Sequence, residues 1–177
     1  MKAIKEIEQK LLDARSDGAI PGANYAIVTK NKVWMGSIGN KELYPNIIPN
    51  SIDTIYDMAS LTKVVCRTTC LMQLVEQGKL RIFDPVSRYF EKFRFDNITV
   101  WNLMTHTSGF PEGIAGPKDK LSENDVWDKI FAIEELNYKK RTKISYSDIN
   151  YILLGKIIEI LLNMRIAESE LIINGDG

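Results

Sequence analysis

The chain has 177 residues, 45% of them hydrophobic and 26% charged, a composition that describes a folded globular protein and not a disordered one. A chain of this length buries roughly 70% of the surface its unfolded form exposes, enough for one domain. Lysine plus arginine and aspartate plus glutamate each number 23, so the net charge is zero and nucleic-acid binding by bulk electrostatics has little support. No stretch approaches the roughly 18 consecutive apolar residues of a membrane helix.

Charges are scattered from Met1 to Glu8, where a secretory leader would need an unbroken apolar run. A cytoplasmic protein with no membrane partner is therefore expected, or an extracytoplasmic one whose signal was removed. Ile4, Ile7, Leu11 and Leu12 form a helical stripe, which Gly18 and Pro21-Gly22 end. Asn24 to Thr29 reads as a strand, Lys30-Asn31-Lys32 as a tight turn, and Val33 to Ile38 as the returning strand. Residues 40–55, with Pro45, Pro49 and several asparagines, read as an irregular surface segment.

From Ser60 the pattern changes. Leu61, Val64, Val65, Cys66, Leu71, Met72, Leu74 and Val75 predict a helix that is apolar on most sides and buried all round, with Gly78 as its C-cap. Asp84-Pro85 opens a short helix. Thr99 caps another through Met104, and residues 105–120, with three glycines and two prolines, predict a long loop. Ser122, Glu123 and Asp125 start a helix expected to run to about Leu136. Ser147 to Met164 is strongly helical, with Ile149, Ile152, Leu153, Ile157, Ile158, Leu161 and Leu162 facing inward. Leu171-Ile172-Ile173 is the one later strand candidate. The fold class is α+β: a helix and a β-hairpin (1–58), a mostly helical region (59–165) and an atypical tail (166–177).

Ser60-Leu61-Thr62-Lys63 carries the chemistry. A serine and a lysine three apart at a helix start share one face, one turn apart, so the amine reaches the hydroxyl and a neutral lysine takes its proton. The sole histidine, His106, offers a Ser-His-Asp alternative with Ser108, but no G-x-S-x-G elbow presents that serine. Thr105 to Gly109 reads better as a loop start whose side chains bond the backbone. Cys66 and Cys70 are too few for a zinc site and badly placed for a disulfide, so reduced, buried thiols are expected. No cofactor is called for.

Ser60-Leu61-Thr62-Lys63, then Leu103-Met104-Thr105-His106-Thr107-Ser108-Gly109-Phe110, then Tyr146-Ser147-Asp148-Ile149-Asn150-Tyr151 together resemble the serine β-lactamase and penicillin-binding-protein superfamily, in its class C β-lactamase, DD-peptidase and esterase branch. The resemblance spans residues 18–160. It implies a partial β-lactamase/transpeptidase-like fold with a truncated antiparallel sheet, and a serine hydrolase acting through an acyl-serine on an amide or ester. Its substrates would be a β-lactam, a D-amino-acid peptide or a simple ester. By that resemblance Ser60 is the nucleophile, Lys63 is the base or holds Tyr146 as its phenolate partner, and Tyr146 shuttles a proton to the leaving group and later activates water.

A buried lysine loses its charge more readily, as the base role requires. Asp148, where the family often has Asn, stands in a substrate-binding position. A carboxylate there favours the charged amine of Lys63, or else caps the following helix. The family's third motif, Lys-Thr-Gly or His-x-Gly, does not follow Tyr146, and Asn163 to Gly177 shows no family likeness. The expectation is therefore an N-terminal portion, with self-association through an uncovered apolar face. The rival readings are an inactive fragment or pseudoenzyme scaffold, and a helical structural domain in which Ser60 is only an N-cap.

Overall fold

The computed structural model describes residues 2–114 and 121–165 and forms two compact units, Met1–Asp57 and Met58–Gly177. In the first, helix α1 (Lys2–Ser16) accompanies an antiparallel sheet of β1 (Gly22–Val28), β2 (Val33–Glu42) and β3 (Ile48–Pro49), in the order β1-β2-β3. The hairpin pairs Gly22 with Gly39 and Val28 with Val33, closed where the Thr29 amide bonds the Lys32 carbonyl at 2.8 Å. Tyr25 lies across Gly36, where an added Cβ would sit 2.4 Å from the ring, and its hydroxyl donates to Glu8 at 2.5 Å. The irregular segment expected over 40–55 is shorter than the composition suggests, because β2 continues to Glu42 and β3 pairs with it.

The second unit is helical. A helix from Leu61 continues into α2 (Thr69–Glu76), followed by a 3-10 turn (Val86–Arg88), α3 (Val100–Met104), α4 (Glu123–Phe131) and α5 (Asp148–Leu162). Its core gathers Leu71, Leu74, Val86, Ile98, Leu103 and Phe110 around the inner face of α5, where Ile149, Leu153, Leu154, Ile157 and Ile158 are fully buried. An edge-to-face group of Phe93, Phe95 and Phe110 closes one side at centroid distances of 5.6–6.1 Å. Thr99 and Ser122 each make a reciprocal capping box, with Asn102 and Asp125. Gly78, at φ 70, ends α2 as expected.

Two expectations are corrected. The helix after Ser60 is not buried all round: Leu61, Val64, Val65 and Met72 are exposed, Val64 to 62%, while Cys70, Leu71 and Leu74 alone carry it into the core. Cys66 is correspondingly only half-buried, and neither cysteine is in a disulfide. The helix from Ser122 ends at Phe131, five residues short of Leu136, since Ala132 closes the last turn and the chain leaves at Ile133. The Leu171-Ile172-Ile173 strand candidate and the tail from 166 lie outside the described residues.

Candidate active site

Ala59 sits at φ 42, a left-handed backbone rare for a residue with a side chain, and so delivers Ser60 onto the helix start from a strained position. The amides of Leu61, Thr62 and Lys63 then bond the carbonyls of Met58, Ala59 and Ser60 at 2.9, 3.1 and 3.1 Å. From Lys63 to Thr68 the helix widens to a π-helix, and the Thr68 hydroxyl donates to the Lys63 carbonyl at 2.9 Å. Such segments are rare and concentrate at functional sites. The sequence carried no sign of it.

Tyr146 reaches the same place from 86 residues further along. Its neighbour Ser147 is buried, with its hydroxyl donating to the Pro111 carbonyl at 2.5 Å, and the Asp148 amide bonds the Glu112 carbonyl at 2.8 Å. These bonds fix the entry into α5 and aim Tyr146 and Asp148 at Lys63.

The four residues singled out in the sequence meet in one cluster. Lys63 Nζ donates to Ser60 Oγ at 3.2 Å, and Ser60 Oγ lies 2.9 Å from Tyr146 Oη. Asp148 Oδ1 is 3.1 Å from Lys63 Nζ, which also stands 5.1 Å from the centre of the Tyr146 ring. Asp148 therefore pairs with the lysine instead of capping α5, whose N-cap is Ser147.

Lys63 is 15% exposed. Burial presses its pKa down, but hydrogen bonds to Tyr146 and Asp148 and the charge of Asp148 outweigh that and hold it above the ordinary lysine value. An ammonium has three donors and no acceptor. Its Nζ donates to Ser60 Oγ and pairs with Asp148, and in the Ser60–Tyr146 contact either hydroxyl can be the donor. The hydrogen bonds and the charge of Asp148 thus favour the ammonium form of Lys63 over the neutral amine.

His106, read in the sequence as a structural loop residue, lies against the cluster. Its ring centre is 4.7 Å from that of Tyr146, and burial foremost, then the charge of Lys63, lowers its pKa. Ser147, Asn150 and Tyr151 complete its surroundings. No local sequence pattern marks a ring contact across 40 residues. Beside Lys63 and Asp148 opens a cavity of about 290 Å³, walled by Arg67, Gly113, Ile114, Leu121, Val126 and Ile152. Among the described residues no group of histidine, cysteine and carboxylate side chains could hold a metal.

The model of one family, Beta-lactamase, matches residues 4–169. The chain belongs to the beta-lactamase family. The match ends inside the stretch from Asn163 in which the sequence showed no likeness, so part of that stretch is family-like. Protein flp of Staphylococcus aureus is 32% identical over 152 residues, covering 80% of this chain and 30% of that protein. In structure the chain is similar to a beta-lactamase/D-alanine carboxypeptidase from Pseudomonas syringae (TM-score 0.80, 22% identity, 96% of this chain and 47% of the other). It is also similar to a D-amino acid amidase from Ochrobactrum anthropi SV3 (TM-score 0.75, 21% identity, 92% and 46%). At these identities the structural likenesses speak for the fold, which is β-lactamase/transpeptidase-like over its N-terminal portion. The chain spans between about a third and a half of the length of these beta-lactamase family relatives.

Proposed function

We propose that this protein is a serine hydrolase that forms an acyl-enzyme on Ser60. The observation that carries the reading is the position of Ser60 Oγ, 3.2 Å from the Lys63 ammonium and 2.9 Å from the Tyr146 hydroxyl. Ser60 Oγ attacks the acyl carbon of an amide or ester. As its C–O bond forms, its proton passes to Tyr146 Oη, and the phenol's own proton moves on to the leaving nitrogen or oxygen, so that Tyr146 ends as it began. Lys63 stays charged, held by Asp148, and steadies the negative charge that builds between the two oxygens. The Ser60 amide, ahead of the first helical turn, is suited to donate to the developing oxyanion, where the helix dipole adds to it. Water then enters by the same relay in reverse and frees the acid.

Family membership supports a β-lactam, a D-amino-acid peptide or amide, or a simple ester as substrate. Asp148 and the cavity beside it would receive part of such a molecule. A second reading is a non-catalytic scaffold that keeps the cluster by descent. A turnover panel separates the two. A chromogenic cephalosporin, a D-alanyl-D-alanine peptide and a p-nitrophenyl ester are each incubated with the wild type and Ser60→Ala. Hydrolysis of any one that disappears in Ser60→Ala supports the enzyme. A folded wild type no faster than the variant on all three refutes it.

A further inference from the structure

Tyr146 is 48% exposed, so core packing alone does not hold its ring in place. What holds it is His106. The carbonyl of His106 accepts the Ser145 amide at 2.8 Å, and its Nδ1 accepts the Ser147 amide at 3.2 Å, so one residue grips the backbone on both sides of Tyr146. Its ring also packs tilted against the phenol, at 4.7 Å and 33°, and rests behind on Tyr151, at 5.2 Å and 36°. Tyr151 is the anchor of this row. It is 5% exposed, and its hydroxyl bonds the Met104 carbonyl at 3.3 Å and lies 3.2 Å from Thr68 Oγ1, the hydroxyl that closes the π-helical segment behind Lys63.

The protonation of the imidazole is fixed by its neighbours. The Ser108 hydroxyl donates to Asn150 Oδ1 at 2.7 Å, which leaves the Asn150 amide nitrogen facing His106 Nδ1 at 3.0 Å as a donor. Two N–H groups thus converge on Nδ1, and that atom has room for a lone pair and not for a proton. His106 itself sits at φ 53, which ties the ring's direction to the backbone turn.

We propose that His106 is a positioning residue for Tyr146, acting as a neutral imidazole protonated at Nε2, and that a proton on Nδ1 opens the grip and uncouples Tyr146 from Ser60. The inference rests on the reading that Tyr146 serves Ser60. The groups facing the ring agree with it. Burial and Lys63 on the Ser60 helix disfavour the imidazolium, Asp148 on α5 favours it more weakly, and the Tyr146 and Tyr151 rings pack against its two faces.

His106 is the only histidine, so its ring nitrogens give unique NMR signals in the uniformly labelled full chain. The expected spectrum at neutral pH shows a protonated Nε2 and a bare Nδ1, with a titration midpoint below 6.5 that moves in Tyr146→Ala and stays in Tyr146→Phe. A proton on Nδ1, or an unperturbed midpoint, overturns the proposal. Acylation by an activated ester is followed from pH 5 to 8 in parallel. His106→Ala should lose about a hundredfold at neutral pH, the scale of a misplaced catalytic group. His106→Asn keeps an acceptor and tolerates the left-handed backbone. It should stay within about tenfold and lose the acid limb of the profile. A folded His106→Ala that reacts like the wild type, or an acid limb unchanged in His106→Asn, contradicts the proposal. A wild type that is never acylated defeats the reading of Ser60 instead, while the ring signals still decide whether His106 grips Tyr146.

Discussion

Replacing Tyr146 by phenylalanine removes one oxygen from the cluster and little else. The ring keeps its tilted packing against His106 at 4.7 Å and its place 5.1 Å from the Lys63 ammonium. In the proposed relay, what is lost is the 2.9 Å contact that would take the Ser60 proton and the donor that would serve the leaving group. Because the side chain is half exposed, water replaces the missing hydroxyl, and the stability change should stay within about 1 kcal/mol. The rate should not. A positioned acid–base group contributes about 10²–10⁴-fold, which at 1.36 kcal/mol per decade is roughly 3–5 kcal/mol of barrier. Single-turnover acylation by a p-nitrophenyl ester, followed as release of the phenol, reads this directly. The drop should be smaller for a good leaving group than for an amide, since only the latter needs the proton. A Tyr146→Phe protein that acylates within tenfold of the wild type on both would refute the relay and return the base role to Lys63.

Asp148→Asn should lower the pKa of Lys63, because burial then acts with less opposition. With a raised pKa, Lys63 contributes stability that is complete below 10.5 and fades as pH rises through its folded value. The variant should therefore begin to lose that contribution at lower pH, by about 0.2–1 kcal/mol for so open a pair, and urea unfolding against pH checks it. Parallel curves would contradict it. His106 behaves oppositely. Its pKa is depressed, so its contribution is complete above 6.5 and is lost as pH falls through the folded value. His106→Asn should flatten the acid side of the stability profile. In the core, Leu153→Ala should cost about 2–5 kcal/mol by urea unfolding, as the residue is fully buried on α5. A loss under 1 kcal/mol would mean that the α5 core is looser than its burial implies.

The elements that declare themselves locally were legible in the sequence. Capping residues Thr99 and Ser122, the turn after Thr29 and the apolar run of α5 all depend on neighbours within a few positions. The cluster was legible through three short motifs, and Ser60, Lys63, Tyr146 and Asp148 do meet. What stayed hidden depends on distant contacts. Burial of the Ser60 helix could not be judged from its own residues, since Val64 and Met72 are apolar and yet exposed. That burial and Asp148 pull the Lys63 pKa in opposite directions could be read from the motifs, but the balance between them depends on the 3.1 Å approach of the carboxylate. The grip of His106 on Tyr146 joins residues 40 apart through two amides and a ring face, and none of these leaves a periodic trace.

The most direct test of the central claim is the intact mass of the full chain after incubation with a penicillin and, separately, with an activated ester, followed by peptide mapping. The account predicts a single covalent adduct located on Ser60 and absent from Ser60→Ala. A folded protein that gains no mass with either reagent, or carries the adduct on another residue, would contradict it.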